Sequence, residues 1–394
     1  MTSTAAQSAS FATRARRRYD IDALRVLAVF LLIYFHTACV FMQWPFHIQN
    51  LQRSRAASVF VAFLGQWHMP LFFLLAGAST WLALEVRSTR QYLVERVRRL
   101  LLPAIFGILL VIPPQVYVER ISSWVPTRQS PIDFHGSYLA FYPHFFEGTY
   151  PTGNFSWHHL WFIVYLFAYS VVTLPVLLWL KTCPRGRRFV QAVANVLAPG
   201  RGIFLLAAPG IAVAFALQRR FPFTHALIDD WHIHAQYILL FLYGGLFAAD
   251  DRLVMAAVRN CRTALLPALL LTLPLFWPTL LPPIRGPVGY IVMTIAGGLN
   301  ATCWLILILG LGRRWLDRPL PGLGYASRIA YPFYILHQTV IVVLAYYVLR
   351  WDAGVGAKYV VISTAALLLT VGLCDLFRRL AVTRFMFGMP SVAT

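Results

Sequence analysis

The sequence predicts an all-α polytopic membrane protein with about ten transmembrane helices and both termini in the cytoplasm. Three observations carry this. Of the 394 residues, 59% are hydrophobic and only 12% are charged, with a mean hydropathy of +0.65; such a composition belongs to chains whose surface faces lipid. Apolar runs of roughly twenty residues, long enough to cross a bilayer at about 1.5 Å rise per residue, recur along the whole chain. The positive charges alternate between the gaps. With the N-terminus placed in the cytoplasm, cytoplasmic segments hold 24 of the Lys and Arg residues and external segments hold 9, with Arg25 inside the first run. That is the bias of the positive-inside rule, so the net charge of +20 is a topology signal. The lipid bilayer is an expected partner and nucleic acid is not.

The runs fall at 22–42, 57–84, 100–118, 158–180, 202–217, 235–249, 264–281, 288–311, 329–350 and 359–380. They are expected to form one integral-membrane domain over residues 1–394, with a basic cytoplasmic tail at 1–18. The first run is too long for the apolar core of a signal peptide and lacks a small-residue cleavage pattern, so it is expected to be a retained span. The five cysteines are scattered, and their spacing suggests no disulfide framework, zinc site or redox pair.

The first run holds the leading candidates. Arg14, Arg16, Arg17 and Arg18 precede it, and Arg25 and His36 lie within it. Eleven residues of helix miss three whole turns by only about 20°, so both share one face, about 16 Å apart along the axis. A polar stripe of that kind faces protein or water rather than lipid. His36 has the residue type for a general base at neutral pH; the alternative is a histidine satisfied by a hydrogen bond in the bundle. Arg25 can bind an anionic group, or pair with Asp22 three residues earlier, or both.

The second run exceeds a bilayer's thickness and contains Trp67, His68 and Pro70, so it is expected to be tilted or broken. Within it, the stretch Phe72 to Gly77 predicts close helix packing around Gly77. Before the third run, Arg96 and Arg99 stand three apart, offering two forked guanidiniums suited to phosphate, or else topological charge alone. The segment 119–157 is rich in Tyr, Phe, Trp, Pro and His, which predicts a folded external cap that anchors at the interface or offers aromatic surface to a sugar. The fourth run opens on Trp157-His158-His159-Leu160-Trp161-Phe162. The fifth and sixth runs are short. The ninth carries Tyr331-Pro332-Phe333-Tyr334 and then His337. With no carboxylate deep in a span beside His36 and His337, no metal site is expected. There is no internal repeat, no Gly-rich phosphate loop, no nucleophile elbow and no carboxylate pair.

Taken together and in order, these pieces resemble the acyltransferase-3 family of bacterial inner-membrane enzymes. The residues are Asp22-Ala23-Leu24-Arg25 followed by His36, Met69 to Gly77, Arg96 and Arg99 with Pro103, the stretch 159–162 and the stretch 331–338. Within the family, the stretches 113–120, 155–162 and 241–248 look most like the branch that succinylates periplasmic glucans. Ala76 departs from the pattern, which usually has Ser before the glycine, so no hydroxyl is expected to act there.

The resemblance implies acyl transfer from cytoplasmic acyl-CoA, as succinyl-CoA or acetyl-CoA, to a hydroxyl of an envelope carbohydrate, with no permanently bound cofactor. His36 would be the base, and Arg25, Arg96 and Arg99 would hold the donor's phosphates. Asp22, His159, Trp161, Tyr331 and His337 would support them or line the acceptor side. Whether an acyl-enzyme forms is left open: no Ser or Cys is clearly placed as nucleophile, and Cys39 is a thiol one turn from His36. The competing classes are a multi-span transporter or exporter, which would call for matching broken segments in two halves, and a non-catalytic partner of a glucan synthase, in which loss of His36 would change nothing.

Overall fold

The computed structural model describes residues 17–125, 132–276 and 286–389. Among them every regular element is a helix, and the only β pairing is an isolated bridge between Thr149 and Phe155. Arg14, Arg16, Arg128 and Arg285 lie outside the described residues. Lipid satisfies no backbone polar group, so spans are helices or closed barrels, and apolar runs of about twenty residues are the helical solution.

The helix α1, Tyr19–Cys39, carries Asp20 and Asp22 in its first turn, where the helix dipole favours acid. Arg18 and Arg17 pair with them at 2.8 and 3.0 Å. The second run is broken, as its Trp-His-x-Pro predicts. α2, Arg55–Gly65, is capped by the Ser54 hydroxyl, and α3, His68–Val86, follows after Gln66 and Trp67. The Gln66 side chain at the break accepts from Asn300 at 2.6 Å and Thr272 at 3.2 Å.

The helix α4, Thr89–Ile121, starts at a Ser88–Gln91 capping box. It contains two π turns, Val97–Leu101 and Gly107–Val111. The cap follows with the short α5, Tyr138–His144. It is folded back on the bundle, with Phe141 and Phe145 fully buried.

The fourth run is two helices, α6 at His158–Val172 and α7 at Leu174–Thr182, bent by 45°. Pro175 lies in the first turn of α7, and the Thr173 hydroxyl takes the Tyr169 carbonyl at 2.7 Å. α8, Pro184–Leu197, buries Gly186, Val190, Ala194 and Leu197 on one face and turns its arginines away, the pattern of a helix lying along a membrane surface. α9, Gly202–Leu217, leaves it at 119°. The rest is α10 (Trp231–Ala249), α11 (Asp251–Phe276), α12 (Gly286–Trp315), α13 (Leu323–Val348), α14 (Val355–Arg379) and the short α15 (Ala381–Met386).

Among the described residues, eight helices are long and apolar enough to cross a membrane, and up to ten if each bent pair crosses once. The ten expected runs map onto these elements in order. The starts differ in one direction: α4 begins eleven residues before its run, α11 thirteen before and α13 six before, while α1, α13 and α14 end one to three residues inside theirs. Hydropathy marks only the lipid-embedded part of a helix, and the hydrogen-bonded backbone continues past it. The basic stretches read as gaps therefore ride largely on helix ends.

Candidate active site

One helix sets the axis. Arg25 and His36 both lie in α1, at opposite ends, as their spacing requires. At the arginine end, Arg25 Nη2 donates to Asp22 at 2.7 Å. On α4, Glu95 gathers three arginines of its own: Arg87 at 2.7 Å, Arg99 at 3.1 Å and Arg96 at 4.0 Å. Arg96 is turned inward over the Tyr92 ring and is 17% exposed, whereas Arg99 is 50% exposed. The Arg96 Nε is sealed without a hydrogen-bond partner. The two guanidiniums thus share a carboxylate but not an exposure.

At the histidine end, folding brings three rings together. His337 lies 5.1 Å from His36 between centroids, His159 lies 6.5 Å from it, and His159 and His337 are 5.1 Å apart. Each is placed by a different helix: His36 by α1, His159 by the opening turn of α6, and His337 by α13. Phe30 stacked on Phe333 at 4.5 Å holds α1 against α13. Tyr334 donates its hydroxyl to the His159 carbonyl and ties α13 to α6.

Backbone carbonyls only accept, so they set the tautomers. His159 donates from Nε2 to Ile335 at 3.0 Å, and His337 donates from Nδ1 to Tyr334 at 2.6 Å. The opposite nitrogens, His159 Nδ1 and His337 Nε2, are left as lone pairs, and both are sealed with no hydrogen-bond partner. His36 Nδ1 is likewise sealed without a hydrogen-bond partner, although the His36 residue as a whole is only half-buried. Three unpaired imidazole nitrogens in one small volume is an arrangement that calls for hydrogen-bond partners from elsewhere.

The other expected residues sit around this centre. Trp161, in the same turn as His159, packs its ring on Phe223 and His225 at 5.3 and 5.1 Å. Tyr331 stands six residues before His337 on α13, so it lies about 9 Å nearer the arginine end, with its hydroxyl sealed and unpaired. Cys39 is buried in the apolar core. His68, which the sequence flags only as part of a break, bonds Ala28 on α1 at 2.8 Å and locks α3 to it.

A second cluster joins residues far apart in sequence. His47, from the link after α1, lies 3.3 Å from Glu119 at the end of α4, and its ring is 4.1 Å from that of His158. Tyr150 donates to Glu119 at 3.1 Å. Burial, and then the Glu119 carboxylate, push the Tyr150 phenol well above its ordinary range. The adjacent His158-His159 pair was the main sequence signal for this cluster; Glu119 entered only as part of the stretch 113–120, and nothing marked His47. A cavity of about 490 Å³ between α3, α9, α10 and α12 is mainly apolar and holds none of the residues expected to act.

A family model described as an acyltransferase domain matches residues 18–379. The chain is similar to glucans biosynthesis protein C of Salmonella heidelberg and of Salmonella typhi, each 24% identical over 226 residues, and of Salmonella paratyphi B at 23%. Each alignment covers 55% of this chain and 53% of the relative, so the chain spans about half the length of the curated relatives it matches.

Proposed function

This chain belongs to the acyltransferase-3 family, and from that premise we propose that it moves a succinyl or acetyl group from cytoplasmic acyl-CoA to a hydroxyl of an envelope glucan. The observation that carries the proposal is the convergence of His159 and His337 on His36, at the far end of the helix that bears Arg25. The relatives' name, glucans biosynthesis protein C, points to the glucan. The split of 24 against 9 positive charges supports an inner-membrane enzyme with both termini and the arginine end in the cytoplasm.

The steps follow from residue chemistry. CoA phosphates meet Arg25, Arg96 and Arg99, where forked guanidiniums suit them. The acyl group then extends along α1 toward the histidines. An acceptor carbohydrate arrives from the other side, and its reacting hydroxyl donates its one proton to His36. The hydroxyl oxygen attacks the thioester carbon while His36 takes that proton. The C–S bond breaks, and the imidazolium returns the proton to the thiolate, leaving ester and free CoA thiol. His159 and His337, held by backbone carbonyls, stay neutral and accept from the neighbouring hydroxyls of the sugar, which orients it. No acyl-enzyme is required.

The test is His36→Ala in purified protein, with donor binding and acyl transfer measured on one preparation. Transfer falls by about 10²–10⁴, the usual cost of losing a general base. Donor affinity survives, because the phosphates lie about 16 Å away along α1. A folded variant that transfers at near wild-type rate would remove His36 from the role.

A further inference from the structure

The second cluster makes a different kind of site. We propose that His47, Glu119 and His158 bind one divalent transition-metal ion, Zn²⁺ by ligand type, as a structural tie between the α1–α2 link, the end of α4 and the start of α6. This does not rest on the proposed reaction. Phe46 stands between the cluster and His36, with its ring 4.7 Å from His47 and 6.2 Å from His36.

Two imidazoles and a carboxylate are a set that zinc takes. All three residues are buried, and each offers one ligand atom within 4.8 Å of the others. The spacing favours a metal over a plain hydrogen bond. His47 Nδ1 lies 3.3 Å from Glu119 Oε2, and Tyr150 Oη lies 3.3 Å from that nitrogen and 3.1 and 3.3 Å from the two carboxylate oxygens. A charge-assisted N–H···O bond is shorter, about 2.7–2.9 Å. Ligands about 2.0–2.2 Å from a tetrahedral zinc stand about 3.4 Å from one another.

Two further observations fall on His158. It is 9% exposed, yet its Nε2 is sealed and has no hydrogen-bond partner, a state that buried polar atoms rarely keep. Its backbone is also left-handed, φ 39°, a conformation a histidine holds only where its surroundings enforce it.

Arg120 is the charge that opposes a cation here, with Nη1 3.7 Å from Glu119 Oε1. Its other nitrogens bond Asn154 and Gly153 at 2.7 and 2.8 Å, which anchors the guanidinium on the far oxygen of the carboxylate. Oε2, the oxygen that faces His47, is thereby oriented toward the cluster, as outer partners orient ligating carboxylates. The ion would link three segments, the α1–α2 link, the end of α4 and the start of α6, to which the cap's Tyr150 is hydrogen-bonded.

The experiment uses the full-length protein without a histidine tag, stripped by chelator and titrated with Zn²⁺ alone. The expected result is about one Zn²⁺ per chain by elemental analysis and calorimetry, with a rise in unfolding temperature. His158→Gln keeps a polar side chain of similar reach and leaves the Glu119 contacts in place, so it is the variant most certain to fold. Its Zn²⁺ affinity falls about tenfold or more, as does that of His47→Ala. Failure of the wild type to take up Zn²⁺ stoichiometrically, or equal affinity in wild type and both variants, overturns the site and leaves a hydrogen-bonded cluster.

Discussion

At the residue scale, the two arginines three apart on α4 are not equivalent. Arg96 is stacked on Tyr92 and mostly covered, while Arg99 reaches further into solvent from the same carboxylate. Changing either to Gln is expected to weaken acyl-CoA binding by about tenfold or more, since a forked, charge-assisted contact contributes about 1.5–3 kcal/mol. Arg96→Gln should also lower the unfolding temperature, because it loses a packed ring contact, and Arg99→Gln should not. Calorimetric titration with acyl-CoA beside a thermal melt measures both effects. Unchanged donor affinity in the two variants would leave their charge as a topology signal only.

At the element scale, the contact between α3 and α10 is built on two glycines. A Cβ on Gly77 would sit 1.8 Å from the Phe241 carbonyl oxygen, and one on Gly244 would sit 1.9 Å from that of Leu74. Backbone cannot yield as a side-chain tip does. Gly244→Ala is therefore expected to push the helices apart and destabilise the fold by about 1–3 kcal/mol or more. A thermal melt of purified protein checks this, with Gly356→Ala, where a Cβ would meet nothing within 4 Å, as the control. The stretch before Gly77 announced close packing in the sequence. Its partner glycine was not identifiable there, because nothing local says which helix will lie opposite.

At the scale of the whole molecule, the charge split makes a statement about sidedness. With the arginine end in the cytoplasm, reporter fusions near Arg87 and Asp250 are expected to be active on the cytoplasmic side. Fusions within 132–157 and near Asp352 are expected on the other side. Fusions placing 132–157 in the cytoplasm would reverse the donor and acceptor ends and sink the proposed route. The two histidine clusters both lie at the cap end of the bundle, so the same assay also decides which compartment would supply the zinc.

The sequence by itself determined what depends on local composition and on position within one helix. Apolar runs of bilayer length, the charges between them and the Arg25–His36 stripe are properties of contiguous residues, and helix geometry alone converts the spacing into a shared face. The break at Trp67 and Pro70 and the bend at Thr173 are local as well, though only the first was foreseen. The tertiary structure decided what those elements bring together. His159 and His337 reach His36 from helices more than a hundred residues downstream, and their free nitrogens are defined by the carbonyls of Ile335 and Tyr334. His47, Glu119 and His158 meet only because the α1–α2 link, the end of α4 and the start of α6 come together beside the cap. Helix periodicity has no term for that convergence. It follows from which helices pack closely, and here a pair of glycines, stacked aromatics and buried polar side chains on backbone carbonyls make that choice.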